Sequence, residues 1–210
     1  MILIRTNHDT ITNYMYSFCE SLVTEAESHG LHVTKIEGSG VNFRHIEKRI
    51  DKIKPSLIVF NGHGSDNSLF DNSKREFVNL KNSHIFKNSI PFIRACNALA
   101  GLGKEAVEKG CKSFIGYKSR FWLPFKHGME SRPLQDYVAE PVVGVSNAVV
   151  IELIKGKTVR DSVDKSHNET QQLAMNLLFS EDPYSRACLK ALIKNDNSLG
   201  FEGNPDSKLT

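Results

Sequence analysis

Short unbroken apolar runs alternate along this chain with longer stretches in which apolar residues recur at helical spacing, a pattern that predicts strands and helices in turn. Residues 1 to 6 form the first run. Asp9 or Thr10 then caps a helix reaching about Ser28, with Tyr14, Phe18, Leu22 and Ala26 on one stripe and His29-Gly30 closing it. Leu31 to Ile36 predicts a second strand. Residues 42 to 53 predict an amphipathic helix with Phe43, Ile46, Ile50 and Ile53 inward, which Pro55 stops. A third strand begins at Ser56.

The segment from Ser65 to Ser89 is rich in Asn, Ser, Lys and Asp, with only the apolar pieces Leu69-Phe70 and Phe77-Val78, and reads as a surface excursion with room for a hairpin. A fourth strand starts at Ile90, a short helix runs to about Lys109 and Gly110, and a fifth strand covers Cys111 to Tyr117. Lys118 to Arg132 is an irregular loop long enough to be functional. Apolar helical segments fill residues 133 to 155 and end at Gly156. Thr158 with Asp161 caps a helix to about Leu178, residues 183 to 194 form another, and a last short strand lies around Leu199 to Glu202. This alternation predicts an α/β fold, a mostly parallel six-stranded sheet covered by helices on both faces.

With 210 residues, 40% hydrophobic and 24% charged, the chain can bury one sizeable core, and no shift in composition divides it, so residues 1–210 are expected to form a single domain. Its net charge is +3, but the 27 basic residues are scattered among 24 acidic ones, without the basic stripe of a nucleic-acid binder. No apolar run approaches the ~18 residues of a membrane span, and Met1 leads into Ile2-Leu3-Ile4 without the features of a signal peptide. A cytoplasmic protein is expected. Its four cysteines, Cys19, Cys96, Cys111 and Cys188, are then read as free thiols.

Two strand ends carry the chemistry. Leu57-Ile58-Val59-Phe60-Asn61 runs into Gly62-His63-Gly64, and Ile90-Pro91-Phe92-Ile93-Arg94 runs into Ala95-Cys96. If these strands are parallel neighbours, a histidine and a thiol emerge side by side at the carboxyl edge of the sheet, where ligands bind in open α/β folds. A thiol beside an imidazole is an activated nucleophile with a proton donor at hand. Gly64, with no side chain, lets its amide approach a substrate carbonyl. Cys19, Cys111 and Cys188 fall on predicted core positions. His127 belongs to a loop, and His8, His29, His32, His45, His84 and His167 show no metal-ligand spacing, so no zinc site is expected.

The Gly62-His63-Gly64 and Ala95-Cys96-Asn97 elements, each after an apolar strand, resemble those of the caspase-like (clan CD) peptidase superfamily, which includes caspases, metacaspases, legumain, gingipains, separase and the CHAT domains. Phe114-Ile115-Gly116 and Gly203-Asn204-Pro205 are similar to elements of CHAT and gingipain-like domains. The resemblance implies a caspase-like three-layer sandwich over nearly the whole chain. It implies a dyad with Cys96 as nucleophile and His63 as proton donor, an oxyanion hole from the amides of Gly64 and Cys96, and cleavage of a protein or peptide substrate without metal or organic cofactor. By the same likeness the enzyme would serve a regulated prokaryotic pathway, defence or cell death, under a regulatory protein partner. The processing linker of true caspases is missing between Cys96 and the fifth strand, and with the first strand starting at once no prodomain is expected. The alternative is a catalytically silent module that holds a peptide or protein in the same crevice.

Strand parity puts Arg94 on the face of Cys96, a position that in the resembling families can line the P1 pocket, where an arginine would favour an acidic P1 side chain unless it is paired with a structural carboxylate. Asp66 or Asp136 could instead build an acidic pocket for a basic P1. Trp122, with Phe121 and Phe125, could wall the substrate's P2 to P4 side chains or simply anchor the loop.

Overall fold

Parallel strands are buried on both faces and so need continuous apolar runs, which this chain places at the centre of its sheet. The structure, a computed structural model, describes residues 1–209. Its strands are β1 (Ile2–Arg5), β2 (Thr34–Ile36), β3 (Leu57–Asn61), β4 (Ser68–Phe70), β5 (Glu76–Asn79), β6 (Ile90–Arg94), β7 (Ser113–Tyr117) and β8 (Leu199–Gly203). Six form one sheet in the order β2-β1-β3-β6-β7-β8, parallel except for β8, and β4 and β5 make a separate antiparallel hairpin. The helices are α1 (Thr10–Phe18), α2 (Glu20–Ser28), α3 (Phe43–Ile53), α4 (Leu102–Glu108), α5 (Glu140–Ile154), α6 (Val159–Leu178) and α7 (Ser185–Ser198).

Alternate strand residues point to opposite faces, which gives two cores. Leu3, Leu57, Val59, Phe92 and Ile115 pack under Met15 of α1, Leu22 of α2, Val149 of α5, Val163 of α6 and Leu192 of α7. Ile4, Ile58, Phe60, Ile93 and Phe114 pack under Ile46 of α3, Leu102 and Ala106 of α4, and the hairpin residues Leu69 and Val78. The result is the expected three-layer α/β sandwich. Among the described residues, no helix is long and apolar enough to cross a membrane.

The structure departs from the sequence expectation in three places, each with a local cause. The helix expected over 10–28 breaks at Cys19. There Arg5 Nη1 donates to the Tyr16 carbonyl (2.9 Å) and Asn147 Nδ2 to the Phe18 carbonyl (3.1 Å), so side chains from β1 and α5 take acceptors that a continuous helix would use. The second strand is shorter, since only Thr34–Ile36 pair with β1. The last helix runs to Ser198, past the expected end at 194, because Asn195 holds both the amide and the carbonyl of Trp122 (2.8 Å each).

Candidate active site

The pairing of β3 with β6 ends at Asn61 beside Arg94, and the Gly62 amide then donates to the Arg94 carbonyl (3.3 Å). The chain therefore leaves both strands at the same height. His63 and Cys96, the next residues out, line one cavity of about 280 Å³ at the carboxyl edge of the sheet. Asn97 turns the chain sharply after the thiol with a positive φ of 62°, a conformation asparagine tolerates better than most residues. Its amide is held by the Ser119 carbonyl at 3.1 Å.

Gly64 fits where a side chain does not. A Cβ there would lie 2.8 Å from Ala95 Cβ, 3.2 Å from the Ser68 carbonyl oxygen and 3.3 Å from that of Cys96. The short bridge between Gly64 and Leu69 is made by the neighbouring residues, with the Phe70 amide on the His63 carbonyl (3.1 Å) and the Ser65 amide on the Ser68 carbonyl (2.9 Å). Among the described residues, the amides of Gly64 and Cys96 donate to no acceptor of the chain, which leaves two donors free for an oxyanion.

The sequence reading missed the third member of the arrangement. Asp9 caps α1 through Thr12, as its position predicts, and its Oδ2 also lies 2.5 Å from His63 Nε2. Burial pushes the Asp9 carboxyl up, but hydrogen bonds from His63 and Thr12 outweigh it and bring the carboxyl down from 3.8 to about 2. An ionised carboxylate thus fixes the imidazole through Nε2 and leaves Nδ1 as the ring nitrogen open to a thiol or substrate. Asp9 and His63 are 54 residues apart and meet only because β1 and β3 are neighbours. The visible signal was an N-cap aspartate directly after the strand beside β3.

The other three thiols stay in the core. Cys19, Cys111 and Cys188 are buried, and burial raises each thiol above its ordinary value, Cys111 to about 12. Cys96 alone is half-buried, on the cavity. A buried, neutral thiol is a poor nucleophile, so the geometry singles out Cys96.

The chain matches no known family profile and no curated protein sequence. Its fold does match solved structures. The crystal structure of the Arg-specific cysteine proteinase gingipain R superposes with a TM-score of 0.61 at 11% identity, over 99% of this chain and 46% of that one. The complex of the Porphyromonas gingivalis RgpB pro- and mature domains matches with a TM-score of 0.57 at 14% identity, over 99% of this chain and 48% of that one. The fold is caspase-like. The chain spans about half the length of these structures, and identities this low establish architecture without substrate or activity. Both structures are of gingipain, so what they share with this chain is the fold, with no closer tie to CHAT domains.

In this caspase-like frame the residues proposed from sequence around the dyad separate. Arg94 is fully buried below the cavity that it helps to line, with Nε on Ser146 Oγ (2.8 Å), Nη1 on Asn61 Oδ1 (2.9 Å) and Nη2 on Asn147 Oδ1 (2.5 Å). All three partners are neutral, and no carboxylate pairs with the guanidinium among the described residues. Arg120, Phe121, Trp122 and Leu123 line the same cavity. Phe121 is buried against Tyr117 with ring centroids 4.9 Å apart, which anchors the loop, while Trp122 stays partly exposed. Phe125 packs on Tyr14 instead.

The two acidic candidates are not brought to the cavity. Asp136 is fully buried and accepts from the Tyr14 hydroxyl (2.6 Å) and the amides of Lys126 (2.8 Å) and Val138 (2.9 Å). Its oxygens tie the loop to α1 and the approach to α5, and none is left to meet a substrate. Asp66 is exposed, and its carbonyl accepts from the Leu102 amide (2.6 Å) at the start of α4.

Proposed function

We propose that this chain is a cysteine endopeptidase in which Cys96 is the nucleophile, His63 the proton carrier and Asp9 the group that orients His63. The observation that carries this reading is the convergence of His63, held by Asp9, and the one half-buried thiol on a single cavity. In the first step the Cys96 proton passes to His63 Nδ1, and Sγ attacks the scissile carbonyl carbon. The oxyanion accepts hydrogen bonds from the amides of Gly64 and Cys96. The imidazolium, stabilised by Asp9, returns its proton to the leaving amine, and the C–N bond breaks to leave a thioester. Water then attacks the thioester and gives a proton to His63. Collapse releases the acid and restores the thiol.

The same cavity supports an acidic P1 side chain. Gingipain R is Arg specific, but here two arginines, Arg94 and Arg120, and no carboxylate are among the residues that line the cavity. A buried guanidinium with only neutral partners keeps an unneutralised charge that an incoming carboxylate would satisfy. Peptide-library cleavage tests both parts. Wild-type protein should cut after Asp or Glu, and Cys96→Ala and His63→Ala should not cut at all. Cleavage by Cys96→Ala would remove the nucleophile assignment, and a preference for Lys or Arg at P1 would remove the pocket assignment.

A further inference from the structure

The expectation of no zinc site rested on sequence spacing, and the fold brings together three donors that spacing kept apart. One donor atom each from His8, Asp9 and His63 lies within 4.8 Å of the other two. His8 and Asp9 sit in the loop after β1 and His63 in the loop after β3, which are adjacent strands. Asp9 Oδ2 is 2.5 Å from His63 Nε2 and 3.7 Å from His8 Nε2.

His8 is the observation that hydrogen bonding leaves unexplained. Its side chain is nine-tenths buried, and both ring nitrogens are buried without a hydrogen-bond partner. Buried polar groups almost always find partners, and one that lacks them asks for a water or an ion. The ring is not there for want of another place, since the Thr12 hydroxyl accepts from the amides of His8 and Asp9 (3.0 Å each) and fixes the backbone of both donors. The His8 ring meets the His63 ring edge-on with centroids 5.2 Å apart.

We infer that His8, Asp9 and His63 form a site for a zinc ion, and that zinc there switches off the proposed peptidase. Two imidazoles and one carboxylate suit zinc, copper or nickel better than calcium or magnesium, which prefer oxygen. Zinc bonds of about 2.0–2.2 Å put tetrahedral donors roughly 3.3 Å apart. His63 Nε2 and Asp9 Oδ2 therefore open by a little under 1 Å, His8 Nε2 closes on Asp9 by a few tenths, and the two imidazole donors, within 4.8 Å of each other, close by up to about 1.5 Å to bind it. Three protein ligands leave a fourth position for water. The ion takes the Nε2 lone pair and the Asp9 oxygen together. His63 is then a neutral ligand with its proton on Nδ1, unable to accept one from Cys96. The inhibitory consequence rests on the peptidase reading, whereas the binding site does not.

Calorimetric titration of full-length Cys96→Ala protein with zinc chloride separates the two. It should bind one zinc per chain, and adding His8→Phe, which preserves the edge contact with His63, should weaken that site at least about tenfold. His8→Gln serves the same comparison if the phenylalanine variant does not fold. Equal affinity with and without His8, or no zinc bound by folded protein, overturns the site. In protein that retains Cys96, zinc should inhibit peptide cleavage, and His8→Phe should lower that sensitivity at least about tenfold relative to its own zinc-free rate. Inhibition indifferent to His8 overturns the switch. His8-dependent zinc binding in a protein that cleaves nothing supports the site and contradicts the peptidase reading. An active peptidase without His8-dependent binding contradicts the site alone.

Discussion

Cys96 differs from the other three cysteines by its surroundings, since burial raises the thiols of Cys19, Cys111 and Cys188 while Cys96 opens on a cavity beside His63. Brief alkylation of the native protein with iodoacetamide at pH 8 should therefore modify Cys96 and spare the rest, and peptide mass mapping would read it. Equal modification of Cys19 or Cys111 would contradict the assignment. Asp9 makes a second claim at this scale. Asp9→Asn keeps the size of the side chain but removes the charge that stabilises the His63 imidazolium, so kcat should fall on the order of tenfold to a hundredfold with KM little changed. A rise in KM alone would place Asp9 in substrate binding. The site was partly legible in the sequence because His63 and Cys96 each follow an apolar run. Asp9 read only as a helix cap because its partner lies on another strand, and Arg94 showed its face but not that Ser146, Asn61 and Asn147 already hold it.

The close packing of the turns after β3 and β6 sets the geometry of the dyad. Gly64→Ala would force a methyl within 2.8 Å of Ala95 Cβ and 3.2 Å of a carbonyl oxygen. The turns must part, costing about 1–3 kcal/mol by the ordinary price of overpacking. Thermal unfolding would show that loss, and activity should fall by more than stability explains, since the amide at 64 moves with the turn. The β4–β5 hairpin makes a pH claim. Burial raises the Asp71 carboxyl, but the amides of Arg75 and Ser73 and the Arg75 guanidinium together bring it below its ordinary 3.8. A carboxylate lowered on folding stabilises the folded state fully above its unfolded pKa and loses that contribution as pH falls through the folded one. The hairpin amides should thus lose protection, measured against their intrinsic exchange rates, as pH falls below about 3.8, and Asp71→Asn should remove that loss. Strands β3, β6 and β7 were visible as apolar runs. The break at Cys19 was not, since Arg5 and Asn147, far away in sequence, cause it.

Across the whole molecule the net charge of +3 hides a local asymmetry at the sheet edge. Arg94 and Arg120 line the cavity, and Lys190 and Lys194 lie 5.5 and 5.1 Å from the Trp122 ring centroid. Among the described residues, no carboxylate pairs with Arg120, Lys190 or Lys194. Acidic peptides should gain from this field at low salt and lose the gain as salt screens it. Arg120→Glu should lower kcat/KM for an Asp P1 substrate about tenfold and flatten its salt dependence. An unchanged salt profile would detach Arg120 from recognition.

The central claim is that Cys96 attacks a carbonyl with the help of His63. A peptidyl acyloxymethyl ketone with Asp at P1, incubated with wild-type, Cys96→Ala and His63→Ala proteins and read by intact mass spectrometry, tests it most directly. The account predicts one adduct on wild-type protein at Cys96, none on Cys96→Ala and slow labelling of His63→Ala. An adduct that persists in Cys96→Ala, or folded wild-type protein that never forms one with any P1 residue, would contradict it.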